Sequence, residues 1–120
     1  MAATDMGTTE KIAIDGGYSP LSGEDIEQGV SGKTVKGDYF GGYLFSAVYN
    51  SDGTAEGINN VGTHNLGTWS VNKEEQSITI LWDGGWHDFT YRVYFIDDEF
   101  KLYDIVTGQW RTSFKIIEDQ

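Results

Sequence analysis

The chain has 120 residues, no cysteine and one proline, and its nineteen acidic residues against eight basic ones give a net charge of -11. That length fits one domain with its own core. The missing cysteine excludes disulfides and thiolate chemistry, and the acidic balance argues against nucleic acid or anionic lipid as a partner.

Met1-Ala2-Ala3-Thr4-Asp5 has neither a basic start nor an apolar stretch, so no signal peptide is read there. A small, polar start after one Met also fits the trimmed end of a mature exported chain. No apolar run approaches the roughly 20 residues of a membrane span. Residues 1–19 read as loosely ordered, with Lys11-Ile12-Ala13-Ile14 as a short edge strand. After Pro20 the spacing predicts one short helix over about 22–29. Ser22 caps it, Asp25 completes an imperfect capping box and Gly29 ends it.

Aromatic residues make up 14% of the chain and there are 16 glycines, the profile of aromatic strands separated by glycine turns. Eight strands are predicted near 33–37, 43–50, 54–61, 66–71, 77–83, 86–95, 99–106 and 110–117. The gaps are too short for parallel crossovers. An eight-strand meander exposes two edges unless it closes, and closure at eight strands leaves room for side chains or one small ligand. The expected fold is therefore all-β: an antiparallel up-and-down meander closing into a small barrel over residues 20–120.

Turn chemistry sets the register. Gly84-Gly85 as a two-residue hairpin turn pairs Trp82 with His87, Ile80 with Phe89 and Ile78 with Tyr91. Alternation puts that set inward and leaves Trp86 as a large aromatic on the polar face. Asp97-Asp98 pairs Phe95 with Phe100, Val93 with Leu102 and Tyr91 with Asp104. A three-residue turn, Thr107-Gly108-Gln109, pairs Val106 with Trp110, Asp104 with Thr112 and Leu102 with Phe114. Ser51-Asp52-Gly53 pairs Tyr49 with Ala55 and Phe45 with Asn59.

On that register Tyr91, Asp104 and Thr112 lie side by side and face inward. A buried carboxylate needs hydrogen bonds, a cation or a shifted pKa. The loops at one end of the barrel gather Tyr39, Phe40, His64, Asn65, Trp82, Trp86, His87, Gln109 and Trp110. His87 there reads either as an acid, base or ligand contact, or as a barrel-end histidine bonded to a carbonyl. His64, in a Gly/Asn loop, reads either as a ligand contact or as plain surface. Tyr91 and Asp104 read either as a proton-transfer or ligand-orienting pair, or as an internal hydrogen bond that fixes register. Trp82, Trp86 and Trp110 read as a stacking platform for a ring or sugar, with the alternative that most of them are core. No HxH or HExxH spacing, calcium loop, phosphate loop or nucleophile elbow is present, so no cofactor is expected.

The strand lengths, short meander turns and aromatic-lined cup resemble the calycin-type barrels, the lipocalin and avidin kind. Gly67-Thr68-Trp69 resembles the Gly-x-Trp signature of that group. Lipocalins carry the triplet on the first barrel strand, and here it falls on about the fourth. Arg111 lies on the last strand, where lipocalins often cover the Trp with an Arg, but with the triplet displaced that role is not carried over. Leu21-Ser22-Gly23, Ser31-Gly32-Lys33-Thr34, Asp52-Gly53-Thr54 and Gly67-Thr68-Trp69 also resemble small bacterial exported domains. That resemblance names no activity and implies a periplasmic or secreted protein rather than a cytoplasmic one.

Three functions fit the sequence. The first is a binding module that holds a small, partly apolar or ring-shaped ligand. Trp82, Trp86, Trp110 and Tyr91 would stack on it, His87, Asp104, Thr112 and Asn59 would hydrogen-bond it, and Tyr39 and His64 would lie at the rim. The second is a cofactor-free isomerase, cyclase or lyase in which Asp104 or His87 moves a proton and Tyr91 stabilises developing charge. The third is an interaction or inhibitor protein with a filled barrel. The oligomeric state is left open.

Overall fold

Strands that bury alternate residues on one face need a partner for that face, and here the strands supply it to one another. The computed structural model describes residues 9–84, 86 and 88–119. Two helices, α1 (Glu10–Asp15) and α2 (Gly23–Val30), precede eight strands. These are β1 (Lys33–Tyr39), β2 (Tyr43–Tyr49), β3 (Thr54–Asn59), β4 (His64–Asn72), β5 (Ser77–Trp82), β6 (Phe89–Ile96), β7 (Glu99–Asp104) and β8 (Trp110–Asp119). Each strand pairs with the next, and β8 returns to pair with β1, closing the barrel. This all-antiparallel closed meander has, in coarse outline, the architecture of the calycin-type barrels. No described helix is long and apolar enough to cross a membrane.

The expected register holds through most of the sheet. Phe45 pairs with Asn59 and Tyr49 with Ala55. Ile78 pairs with Tyr91 and Ile80 with Phe89. Tyr91 then pairs with Asp104, Val93 with Leu102 and Phe95 with Phe100. The inward residues build one core in which Tyr49, Tyr91, Ile78, Ile80, Leu102 and Phe114 are fully buried. Gly37 marks the seam where β1 meets β8. A Cβ there would run into the Ser113 carbonyl and the Phe114 backbone, so only a glycine lets the two strands approach.

The two helices close what the strands leave open. The Ser22 hydroxyl accepts a hydrogen bond from the Asp25 amide at 3.1 Å, the N-cap expected for α2. Ile26 and Val30, four residues apart on one helical face, are buried in the barrel core. α2 therefore stoppers the end of the barrel away from the aromatic loops. Leu21, just ahead of it, donates its amide to the Val93 carbonyl at 2.7 Å, where β6 has run past its pairing with β5.

The edge strand expected at Lys11–Ile14 is instead part of helix α1. The outer wall beneath it explains the difference. Tyr94, Ile96 and Tyr103 point outward from β6 and β7 and form a second cluster with Ala13 and Trp110. Glu10 and Ala13 are the buried residues of α1, and residues three apart share a face only on a helix. The Glu10 carboxylate accepts from Arg92 Nη1 at 3.0 Å and from the Tyr94 hydroxyl at 2.7 Å. The Glu10 amide donates to the Gly108 carbonyl at 2.6 Å.

The β7–β8 register departs from expectation by two residues. Leu102 faces Thr112 and Phe100 faces Phe114, and the ladder then shifts so that Tyr103 faces Trp110. Asp104 therefore does not face Thr112. The loop runs from Ile105 to Gln109 rather than over three residues, because Asp104 closes it from both sides. Its carbonyl accepts from the Gly108 amide at 2.7 Å and its amide donates to the Gln109 carbonyl at 2.8 Å. A shift of two keeps Thr112 and Phe114 inward. The bulge at Arg111 reverses the face of what precedes it, so Trp110 packs on the outer cluster and donates its indole N–H to Ser113 Oγ at 2.6 Å.

Replacing Gly37 by alanine should lower stability by about 2 kcal/mol or more, seen as a lower urea midpoint. A midpoint equal to wild type would show that β1 and β8 do not close as described.

Candidate functional site

The loops β1–β2, β3–β4, β5–β6 and β7–β8 meet at the barrel end opposite α2, and this mouth gathers Tyr39, Trp82, Trp86, Tyr91 and Asp104 of the expected site residues. Trp82, the last residue of β5, is buried and donates its indole N–H to the Tyr39 hydroxyl at 3.3 Å. Its amide donates to the Asp88 carboxylate at 2.7 Å, so a side chain takes the place of the next rung. Trp86 leaves the ladder and packs on Trp82, with ring centroids 4.8 Å apart. It is half-buried against the core rather than exposed on the polar face, which corrects the sequence expectation. Gly57 makes room for this pair, since a Cβ there would strike both indole rings.

Tyr91 is completely buried. Its hydroxyl has no hydrogen-bond partner among the described residues. Burial pushes this phenol well above its ordinary value. The Tyr39 phenol and the Asp104 carboxylate push the same way, against the Arg111 guanidinium. These neighbours place the hydroxyl toward the mouth. Burial also pushes Tyr39 up, to about 12.

Asp104 carries the cation and hydrogen bonds that a buried carboxylate demands. It accepts from the Val106 amide at 2.9 Å and from Arg111 Nη2 at 3.2 Å. Burial alone would raise this carboxyl, but the Val106 amide and the Arg111 guanidinium outweigh burial and hold it below the usual carboxylate value. Arg111 lies between two phenyl rings, with Cζ 4.7 Å from the Phe40 centroid and 4.6 Å from the Phe89 centroid. Its Nε is buried and has no partner among the described residues.

Other expected site residues are occupied or lie elsewhere. The Thr112 hydroxyl donates to the Asp38 carbonyl at 2.8 Å, which ties β8 to β1 rather than serving a ligand. Asn59 Oδ1 accepts from the Val61 and Thr63 amides, so Asn59 builds the β3–β4 turn. His64 is exposed and lines a shallow groove on the outer wall with Thr34, Val48 and Ile58. Trp110 is outside the barrel. His87, and with it the Trp82–His87 pair, lies outside the described residues.

Two mouth residues were given no role by the sequence. Asn65 accepts from the Gly84 amide at 2.7 Å and anchors the β5–β6 loop. Arg111 was visible only as the last-strand arginine of the calycin resemblance. A local signal did exist: the chain holds six lysines but only two arginines, and a planar, always-charged guanidinium suits a buried, stacked ion pair. Both arginines form ion pairs, Arg92 with Glu10 and Arg111 with Asp104, and Arg111 is the one that is stacked and largely buried. Among the described residues no three His, Asp or Glu side chains converge as a metal site would require.

Comparison with protein-family models, with curated proteins and with solved structures found no match.

The depressed carboxyl of Asp104 has a definite sign in pH. Its contribution to stability is present above the unfolded-state value near pH ~4 and is lost as pH falls through the lower folded-state value. The Tm difference between wild type and Asp104→Asn should therefore be largest near neutrality and shrink as the pH approaches about 3. A gap that stays constant over that range would contradict an ionised Asp104. At Gly57, substitution by alanine should drive Trp86 off Trp82, with a red shift of tryptophan emission and weaker near-UV dichroism. Unchanged spectra would mean that the two indoles do not rest on Gly57.

Proposed function

We propose that the aromatic mouth binds a small ring-bearing molecule, with Trp82 as the fixed stacking wall and Trp86 as the movable one. The observation that carries this reading is the Tyr91 hydroxyl, fully buried and without a partner among the described residues. Leaving a buried donor unsatisfied costs roughly 1–3 kcal/mol, and a ligand oxygen would remove that cost. Aromatic rings surround the position. Phe89 is 5.9 Å from Tyr91 and 6.1 Å from Phe40, centroid to centroid. Few polar groups among apolar walls is the usual make-up of a small-molecule site. Trp86 sits on a loop beside Gly84 and is only half-buried, so its displacement costs less than that of Trp82.

A lipocalin- or avidin-like way of holding a ligand in the barrel end agrees with this reading. Gly67-Thr68-Trp69 lends that kinship no support. The Trp69 indole N–H donates to the Asn50 carbonyl at 2.8 Å and its ring packs on Tyr49, at the end opposite Arg111. We place the activity outside the cytoplasm, on the resemblance of the turn motifs to exported domains. The proton-transfer alternative draws no support from Asp104, because its carboxylate is already committed to Arg111 and the Val106 amide.

Phenol, benzamide and glucose, titrated into the protein and followed by tryptophan emission and thermal shift, test the reading. At least one should give a saturable change. Tyr91→Phe should keep or raise the apo Tm and weaken that binding about tenfold. If Tyr91→Phe instead destabilises the apo protein by more than about 1 kcal/mol, the hydroxyl has an internal partner and the proposal loses its footing.

A further inference from the structure

Three buried hydrogen-bond donors at the mouth have no partner among the described residues: the Tyr91 hydroxyl, the Arg111 Nε–H and the Asn65 side-chain amide. Two of these groups touch Phe89, Tyr91 through its ring and Arg111 through its guanidinium. The carboxylates close by are turned to other donors. Asp104 Oδ1 takes the Val106 amide and Oδ2 takes Arg111, and Asp88 Oδ1 takes the Trp82 amide. One oxygen with two lone pairs and no proton of its own can serve two such donors.

The charge balance narrows the choice further. Arg111 supplies the positive charge at this position, and Asp104 neutralises it at 3.2 Å with both side chains largely buried. The Tyr91 phenol stays neutral. Asp88 adds a negative charge at the rim, and the chain as a whole carries -11. A buried anion without its own counter-charge is strongly disfavoured. An uncharged acceptor pays no such penalty.

Resting on the binding reading above, we infer that the mouth selects an uncharged ring compound bearing a carbonyl oxygen and discriminates against the corresponding carboxylate. The carbonyl accepts from Tyr91 and Arg111, and the ring lies against Phe89 and Trp82. The Asp104–Arg111 pair is then the specificity device. It leaves the guanidinium a donor while cancelling its attraction for anions, at a position where a lone arginine would prefer a carboxylate.

Calorimetric titration of the intact protein with benzamide, benzoate and toluene near neutral pH tests the inference. Benzamide should bind at least about tenfold more tightly than either of the others. Asp104→Asn, which frees the positive charge, should narrow or reverse the benzamide-over-benzoate preference. Should that variant fail to fold, the benzamide-to-benzoate ratio in the native protein still decides. Benzoate binding as tightly as benzamide overturns the inference while leaving a binding site in place, as does toluene binding as tightly as benzamide. Failure of all three to bind at about 10 mM overturns the inference, and the binding reading falls with it only if phenol and glucose fail as well.

Discussion

Closure of the meander through β1 and β8 is the constraint on which the other features rest. An open eight-strand sheet would leave two unpaired edges and one face to be covered by something else. Once β8 pairs with β1, every inward side chain points at every other, and the chain must fill one interior with what its strands alternate inward. It does so with tyrosine, phenylalanine and tryptophan rather than with aliphatic residues alone. Tyrosine and tryptophan carry polar atoms inward with them, and each such atom requires a partner. The Trp82–Tyr39 and Trp69–Asn50 hydrogen bonds answer that requirement. The Tyr91 hydroxyl has no partner among the described residues, and it sits where the interior approaches the mouth.

The two ends of the barrel are built on opposite terms. At one end α2 inserts Ile26 and Val30 and completes an apolar core. At the other the loops supply stacked rings, one neutralised ion pair and donors without partners among the described residues. The asymmetry follows from the order of elements: the helix that precedes β1 covers the end where β1 begins. Among the described residues, the end where β1 finishes is closed by loops.

Much of this was legible in the sequence. Strand alternation combined with two-residue and three-residue turns fixed the pairings of β2 with β3, β5 with β6 and β6 with β7, since turn type sets register directly. What escaped has specific causes. Lys11-Ile12-Ala13-Ile14 is too short for periodicity to separate helix from strand, and the outward tyrosines that make α1 a helix lie eighty residues away. Trp110, Thr112 and Phe114 alternate without interruption, so nothing local announces the bulge at Arg111 that turns Trp110 outward. Thr107-Gly108-Gln109 resembles a complete turn until the Asp104 carboxylate is seen to capture the Val106 amide. Trp86 belongs to no rung, because Asp88 has taken the Trp82 amide, and alternation has no authority outside a ladder. The mouth as a place could thus be found from turns, whereas its ion pair depends on a bulge that only the folded chain displays.

Helix α1 grips the barrel at two points that belong to different neighbourhoods. The Glu10 side chain holds Arg92 and Tyr94 on the wall, while the amide of the same residue holds Gly108 in the loop that positions Val106, Asp104 and Arg111. One residue therefore acts as a rivet between the outside of the sheet and the rim of the mouth. Loosening Glu10 from the wall would therefore also release the Gly108 carbonyl in the loop that carries the ion pair. The shape of the mouth is in this sense set by the grip of the N-terminal helix as well as by the strands that frame it.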